Sequence, residues 1–184
     1  YYGTYGVKKD EKRAAVLYKL ASEQGDAAAQ YNLGCMYRDG QGVNKDQKHA
    51  FELYTLAADQ GYVSAQYNLG AMYAKGQGVD KDEKRTFELY TLAADQGLAR
   101  AQYNLGCMYH NGEGVDQSLT KARELWIKSA SQGDEVAINA LKQLNEHEGR
   151  ITTPSSTSST VNSNTIFCSY CNKPEPTNKK FNKC

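Results

Sequence analysis

The sequence predicts an all-α fold: a solenoid of 36-residue helix-turn-helix repeats, then a disordered linker and a cysteine-bearing tail. Three observations carry this prediction. Tyrosines recur in ladders 36 residues apart: Tyr1, Tyr37, Tyr73 and Tyr109; Tyr31, Tyr67 and Tyr103; Tyr18, Tyr54 and Tyr90, with Trp126 as the next member. Glycines keep the same step at Gly34, Gly70 and Gly106, at Gly40, Gly76 and Gly112, and at Gly25, Gly61, Gly97 and Gly133. Proline is absent before Pro154, as a long run of packed helices requires. A fixed period of this length marks stacked repeats, none of which buries its apolar face alone.

The elements follow in order within one period. In residues 62–97, Ala65, Leu69, Met72 and Tyr73 form one helical stripe, at i, i+4, i+7 and i+8. Gly76-Gln77-Gly78-Val79 ends this first helix, because glycine adopts positive φ without steric cost. Asp80 or Asp82 then caps the second helix, whose inner face is Phe87, Leu89, Tyr90, Ala93 and Ala94. Gly97 closes it, and a short loop opens the next repeat. Small residues at fixed places, such as Ala57-Ala58, Ala93-Ala94 and Gly34, Gly70 and Gly106, predict close helix approach. The expected domains are an array of about four repeats over 1–148 with the first one partial, a Ser/Thr-rich linker over 149–165, and a short module over 166–184.

Composition removes several functions. The 184 residues carry a formal net charge of +1 and a mean hydropathy of -0.72. No excess of positive charge invites nucleic acid, so none is expected as a partner. No apolar run approaches the ~18 residues of a spanning helix, and there is no secretory apolar segment. Charge is uneven along the chain: -2 over 1–150 and +3 over 151–184, as expected of separate modules.

The pattern Ala65…Leu69-Gly70…Tyr73…Gly76-x-Gly78-Val79…Asp82…Lys84…Glu88-x-Tyr90…Ala93-Ala94…Gly97 resembles the Sel-1-like repeat, a relative of the tetratricopeptide repeat. The resemblance covers about residues 1–145. Departures fall in the end copies: Thr4 for the first loop glycine, Ser118 for the aspartate, and Ile138-Asn139 for Gln-Tyr. Tyr1 matches Tyr37, the end of a first helix, so half a repeat is expected to precede it. The resemblance implies a right-handed superhelix that serves as a protein-interaction scaffold. In related arrays the first helices line the groove. By position, the groove candidates are Tyr31, Asn32, Cys35 and Arg38; Tyr67 and Asn68, with Ala71 and Ala74; and Tyr103, Asn104, Cys107 and His110. An asparagine offers both donor and acceptor to an extended peptide backbone. The same Tyr-Asn pairs also read as packing between adjacent repeats, and both readings stand at this point. Specificity belongs more naturally to the positions that vary, 35, 71 and 107 and 38, 74 and 110.

No catalytic motif is present, and the chain is expected not to be an enzyme. There is no nucleophile elbow, no HExxH and no phosphate-cradling GxxxxGK[ST]. The recurring Gly-x-Gly follows no strand, which argues against a dinucleotide site. Cys107 and His110 stand at i, i+3, but two ligands fall short of the four of a structural zinc. No third group orients them as nucleophile and base. The Lys9-Asp10, Lys45-Asp46 and Lys81-Asp82 pairs read as helix caps beside a solvated lysine.

Beyond the array, residues 152–165 are a polar low-complexity run that buries too little apolar surface to offset its ordering entropy. Cys168 and Cys171 form a CxxC knuckle, and Cys184 follows. This segment resembles the opening of a MYND-type zinc finger. The resemblance implies zinc as cofactor, held by Cys168, Cys171 and Cys184 with a further ligand, weakly or not at all by these three alone. A redox CxxC would need a βαβ context, and a disulfide would need an oxidising compartment. Joined to these repeats, such a finger is expected in a eukaryotic, cytoplasmic or nuclear protein. The function expected is a non-enzymatic adaptor that binds partner peptides or domains through the repeat groove and recruits a second protein through zinc. The alternatives are an adaptor of endoplasmic-reticulum-associated degradation, or a regulatory part of an enzyme whose catalytic domain lies elsewhere.

Overall fold

A computed structural model describes residues 10–151, and their side chains as far as Glu146. The linker over 152–165 and the cysteines Cys168, Cys171 and Cys184 lie outside the described residues. Within them the chain is all helix: α1 Glu11–Glu23, α2 Ala27–Asp39, α3 Gln47–Asp59, α4 Val63–Lys75, α5 Glu83–Asp95, α6 Ala99–Asn111, α7 Leu119–Ser131 and α8 Glu135–Ile151. Even-numbered helices are the first helices of their repeats and odd-numbered ones the second. α8 continues past the expected linker start at 149. Its apolar stripe, Ala137, Ala140, Leu141 and Leu144, keeps helical spacing.

The second helices start where an aspartate or serine caps them. Side-chain oxygens of Asp10, Asp46 and Asp82 accept from the N–H of Arg13, His49 and Arg85 at 2.9, 3.0 and 3.0 Å. Ser118, the departure from the pattern, caps α7 through Lys121 at 3.4 Å. Of the two candidate aspartates, Asp82 is therefore the cap. The first helices are treated less uniformly. Asp26 and Asp134 cap α2 and α8, whereas Tyr62 and Leu98 open α4 and α6 with no side-chain cap bond.

The Gly-x-Gly turns divide two tasks. Gly40, Gly76 and Gly112 end the first helices in the left-handed region. Gly42 and Gly78, also at positive φ, lie on the backbone that begins the preceding second helix. A Cβ on Gly78 would sit 2.5 Å from the Gln47 carbonyl oxygen, and one on Gly42 would strike that of Glu11. The turn is closed by backbone bonds from Asp46, Asp82 and Ser118 to the carbonyls of Tyr37, Tyr73 and Tyr109, at 2.8, 3.1 and 2.8 Å.

The described residues form two compact units, one up to Leu89 and one from Tyr90. In the first, α2 packs against both α1 and α3, and α3 against α4. Its core includes Tyr31, Ala50, Tyr54, Ala57, Leu69 and Met72. In the second, α7 packs against α6 and α8, around Tyr103, Ala122, Trp126, Ala137 and Leu144. Mid-helix glycines set the closest approaches. A Cβ at Gly34 would fall 2.8 Å from the Tyr54 ring, and one at Gly106 would fall 2.5 Å from Trp126 Nε1. In α8 the same register holds Lys142, which is exposed.

Glutamines tie the helix ends. Gln66 and Gln102 donate to the Ala58 and Ala94 carbonyls at 3.5 and 3.2 Å, near the ends of the preceding helices. Gln60 donates to Gln30 and Gln132 to Gln102, both at 2.8 Å. Gln30, Gln66 and Gln102 are buried, and each is satisfied inside the fold, which is what burial of a polar group demands.

Candidate functional site

The groove candidates on the first helices separate into an inner and an outer set. Tyr31 and Cys35 on α2, Ala71 on α4, and Tyr103, Asn104 and Cys107 on α6 are buried. Asn32, Arg38, Tyr67, Asn68, Ala74 and His110 keep part of their surface open. Helical position alone does not set the division, since Asn32, Asn68 and Asn104 share one register and fall in both sets.

In the first unit the candidates gather around a residue that the sequence reading placed only in the scaffold, Tyr54. Its hydroxyl donates to Cys35 Sγ at 3.2 Å. Its ring lies 5.8 Å from that of Tyr31, which in turn lies 5.1 Å from Tyr62. The Asn68 side chain lies beside both the Tyr31 and Tyr54 phenols, and Ser64 beside that of Tyr31, close enough to favour their ionised forms. Burial raises the pKa of both phenols above the ordinary tyrosine value, against the opposing pull of the nearby Arg38 charge. Arg38 itself is clamped by Asp39, Nε and Nη2 each donating at 2.8 Å in a bidentate pair. Tyr31, Cys35, Arg38 and Asn68 thus converge on one polar cluster. Asn32 stands apart, its amide donating to the Ala28 carbonyl of its own helix at 2.8 Å.

In the second unit the equivalent centre is Trp126. Its Nε1 donates to the Tyr103 carbonyl at 3.1 Å, and its ring lies 6.4 Å from Tyr103 and 5.5 Å from His110. His110 Nδ1 pairs with Asn111 Oδ1 at 2.9 Å, and its carbonyl accepts from Gln117 at 2.7 Å. Cys107 is buried in this core and His110 is not, so the two do not present one face to a ligand. Among the described residues no three His, Cys, Asp or Glu side chains are grouped to hold a metal ion. No described helix is long and apolar enough to cross a membrane.

Sequence reasoning missed Tyr54 and Ser64 as partners of the candidate residues. The signal for Tyr54 was present in its 36-residue ladder, which fixes it opposite Gly34. Ser64 had none, since Arg100 and Ala28 occupy its register in neighbouring copies.

Comparison with known proteins agrees with this architecture. The Sel1 repeat matches residues 1–26, 27–62, 63–98 and 99–134. Among solved structures, a Sel1 repeat protein from Oxalobacter formigenes is 35% identical over 74% of this chain and 56% of its own, with a TM-score of 0.70. The protein c5321, a protective antigen of uropathogenic Escherichia coli displaying an SLR fold, is 36% identical over 78% of this chain and 31% of its own, with a TM-score of 0.75. Cysteine rich protein B of Helicobacter pylori shares the fold at 24% identity and a TM-score of 0.56, over 76% of this chain and 100% of its own. The chain thus spans 56% and 31% of the length of the first two. No curated protein matches.

Proposed function

We propose that this chain, which belongs to the Sel1 repeat family, is a non-enzymatic scaffold that holds a protein partner on the first-helix surface of its repeats. One observation carries the reading. Where the copies are otherwise nearly identical, positions 38, 74 and 110 hold Arg, Ala and His, and all three keep part of their surface open. A repeated framework with changing side chains at an accessible register is suited to recognition by side-chain chemistry. Arg38 offers a cation pre-oriented by Asp39, Tyr67 an aromatic body with a polar tip, and Asn68 an amide beside them. An extended peptide segment with an acidic group suits this combination.

The test places a photo-crosslinking residue at position 38, 74 or 110, and at the exposed second-helix positions Leu56 and Leu92 as controls. The expected outcome is a crosslinked protein from the first-helix sites only, reduced by Arg38→Ala or Tyr67→Ala without loss of helical content. Equal labelling from Leu56 and Leu92 sinks the proposal.

In the same reading the tail recruits a second protein through zinc. Three cysteine thiols fit a soft tetrahedral ion and leave one of its four positions for another ligand. Cys168, Cys171 and Cys184 would be the protein's share, and tethering two weak modules would raise their joint affinity. Zinc content, measured on the natural open reading frame that contains this chain, tests this part. About one equivalent, lost in Cys168→Ser, is expected; none overturns it.

A further inference from the structure

The turn between α2 and α3 borders an open cleft of about 600 Å³, lined by Lys12 of α1, Tyr37 of α2, and Gly40, Gly42, Val43 and Asn44 of the turn. That volume falls among those of small-ligand sites, about 300–1,000 Å³. All six residues belong to the first compact unit. The backbone accounts for the space. Gly40 ends α2 in the left-handed region, and Gly42 lies on the Glu11 carbonyl with no room for a side chain. Two of the six lining positions therefore contribute only main chain. The walls are fixed without a ligand. The Gly40 and Gln41 N–H groups donate to the Met36 carbonyl at 2.8 and 3.0 Å, and that of Asp46 to the Tyr37 carbonyl at 2.8 Å. The Tyr37 ring is held edge-on by His49, at 4.3 Å between centroids.

The charge of this turn differs from copy to copy. Lysine recurs at the register of Lys12, as Lys48 and Lys84, but the register of Asn44 holds Asp80 and Asp116 in the next two copies. Between the first turn glycine and the capping residue, 41–45 carries Lys45 alone, 77–81 carries Asp80 with Lys81, and 113–117 carries Glu113 with Asp116. The net charges are thus +1, 0 and -2. Of the six residues around the cleft, Lys12 is the charged one and none is acidic. The nearby aspartates are engaged elsewhere: Asp10 and Asp46 cap α1 and α3, and Asp39 holds Arg38.

We propose that this cleft is a binding site for a carboxylate carried on a small apolar body. The Lys12 ammonium supplies the countercharge, and the Asn44 amide and Tyr37 hydroxyl supply hydrogen-bond donors. The Tyr37 ring and Val43 supply an apolar wall. One lysine balances one negative charge, which favours a carboxylate over the near-dianion of a phosphate monoester. An aspartate at position 44, as in the other copies, would set a like charge beside the ligand. This inference is independent of what the first-helix surface binds.

The test titrates the full chain, labelled with nitrogen-15, with benzoate and follows the backbone amides. Benzamide serves as the uncharged match, inorganic phosphate as the other anion, and acetyl-Val-Glu-Val-amide as a carboxylate on a peptide. Benzoate is expected to give saturable shifts at Lys12 and at 40–44, and benzamide and phosphate are expected to bind more weakly. Lys12→Gln and Asn44→Asp are each expected to weaken benzoate about fivefold, the upper end for an exposed charge pair. Asn44→Asp installs the residue of the other copies and is expected to keep the helical content. Lys48→Gln, at the same register one copy on, is expected to change nothing. Saturation by the tripeptide as well supports the site with a partner's acidic side chain as its ligand, and saturation by benzoate alone supports it with a free acid. Equal shifts from benzamide, tighter binding of phosphate, or full affinity in both cleft variants would each overturn the proposal.

Discussion

Tyr54 and Trp126 occupy the same register two repeats apart, both at 0% exposure, and each sits over a glycine of its first helix. They solve the problem of a buried polar atom differently. Tyr54 donates sideways to the Cys35 sulfur and is joined by Asn68, so it is the centre of a side-chain cluster. Trp126 donates to the Tyr103 carbonyl and needs no side-chain partner for its indole N–H. The repeat therefore fixes the position and volume of the aromatic group, while its hydrogen bond is settled locally. It follows that the first unit's cluster is tunable by side-chain substitution and the second unit's is not.

The largest expected effect breaks the comparison outright. Trp126→Ala should cost about 3–5 kcal/mol, the usual range for emptying a fully enclosed aromatic site, read from urea unfolding. Next is the floor beneath each ring. Gly106→Ala gains about 1 kcal/mol of helix propensity but overpacks the indole, at a typical cost of about 1–3 kcal/mol. The net should be destabilising, and more so than Gly34→Ala, because the Tyr54 contact is the less severe, at 2.8 against 2.5 Å. The reverse order in thermal midpoints would mean that the indole shifts more easily than the phenol.

Smaller effects sharpen the contrast. Tyr54→Phe removes one buried hydroxyl with its partners and should cost about 1 kcal/mol. It should also flatten the alkaline limb of the stability curve. The buried phenols of Tyr31 and Tyr54 have raised pKa values, so the unfolded chain loses those protons first. Their contribution is whole below the ordinary tyrosine value of 10.0 and falls as pH rises above it. Unfolding midpoints at pH 9 and pH 11 should differ less in Tyr54→Phe than in the parent chain. Last come the caps. Asp82→Ala should cost about 1 kcal/mol. Ser118→Ala should cost less, since the Ser118 bond is 3.4 Å against 3.0 Å for Asp82.

Much of the fold was legible because a 36-residue period repeats each signal several times. The helix starts at Asp10, Asp46 and Asp82, the turns at Gly40, Gly76 and Gly112 and the inner aromatic series all appear where spacing put them. The candidate site was legible only as a set of positions. Spacing places Tyr31, Cys35 and Asn68 on first helices, but does not say that Asn68 reaches the phenols of Tyr31 and Tyr54. That depends on side-chain lengths across two helices, which periodicity does not encode. Asn32 and Asn68 share one register and yet differ, the first bonded to its own helix and the second set beside the Tyr31 and Tyr54 phenols. Ser64 was invisible for the same reason, being a residue without counterparts.

Lys142 carries a consequence for how such a protein changes over generations. A new 36-residue cassette appended after α8 would set its aromatic ring against a lysine, where α2 and α6 carry glycine. A cassette duplicated between α2 and α7 brings its own glycine and its own turn. Internal duplication or deletion therefore keeps the match of glycine and ring in every copy, whereas an insertion after α8 would also need a change at Lys142.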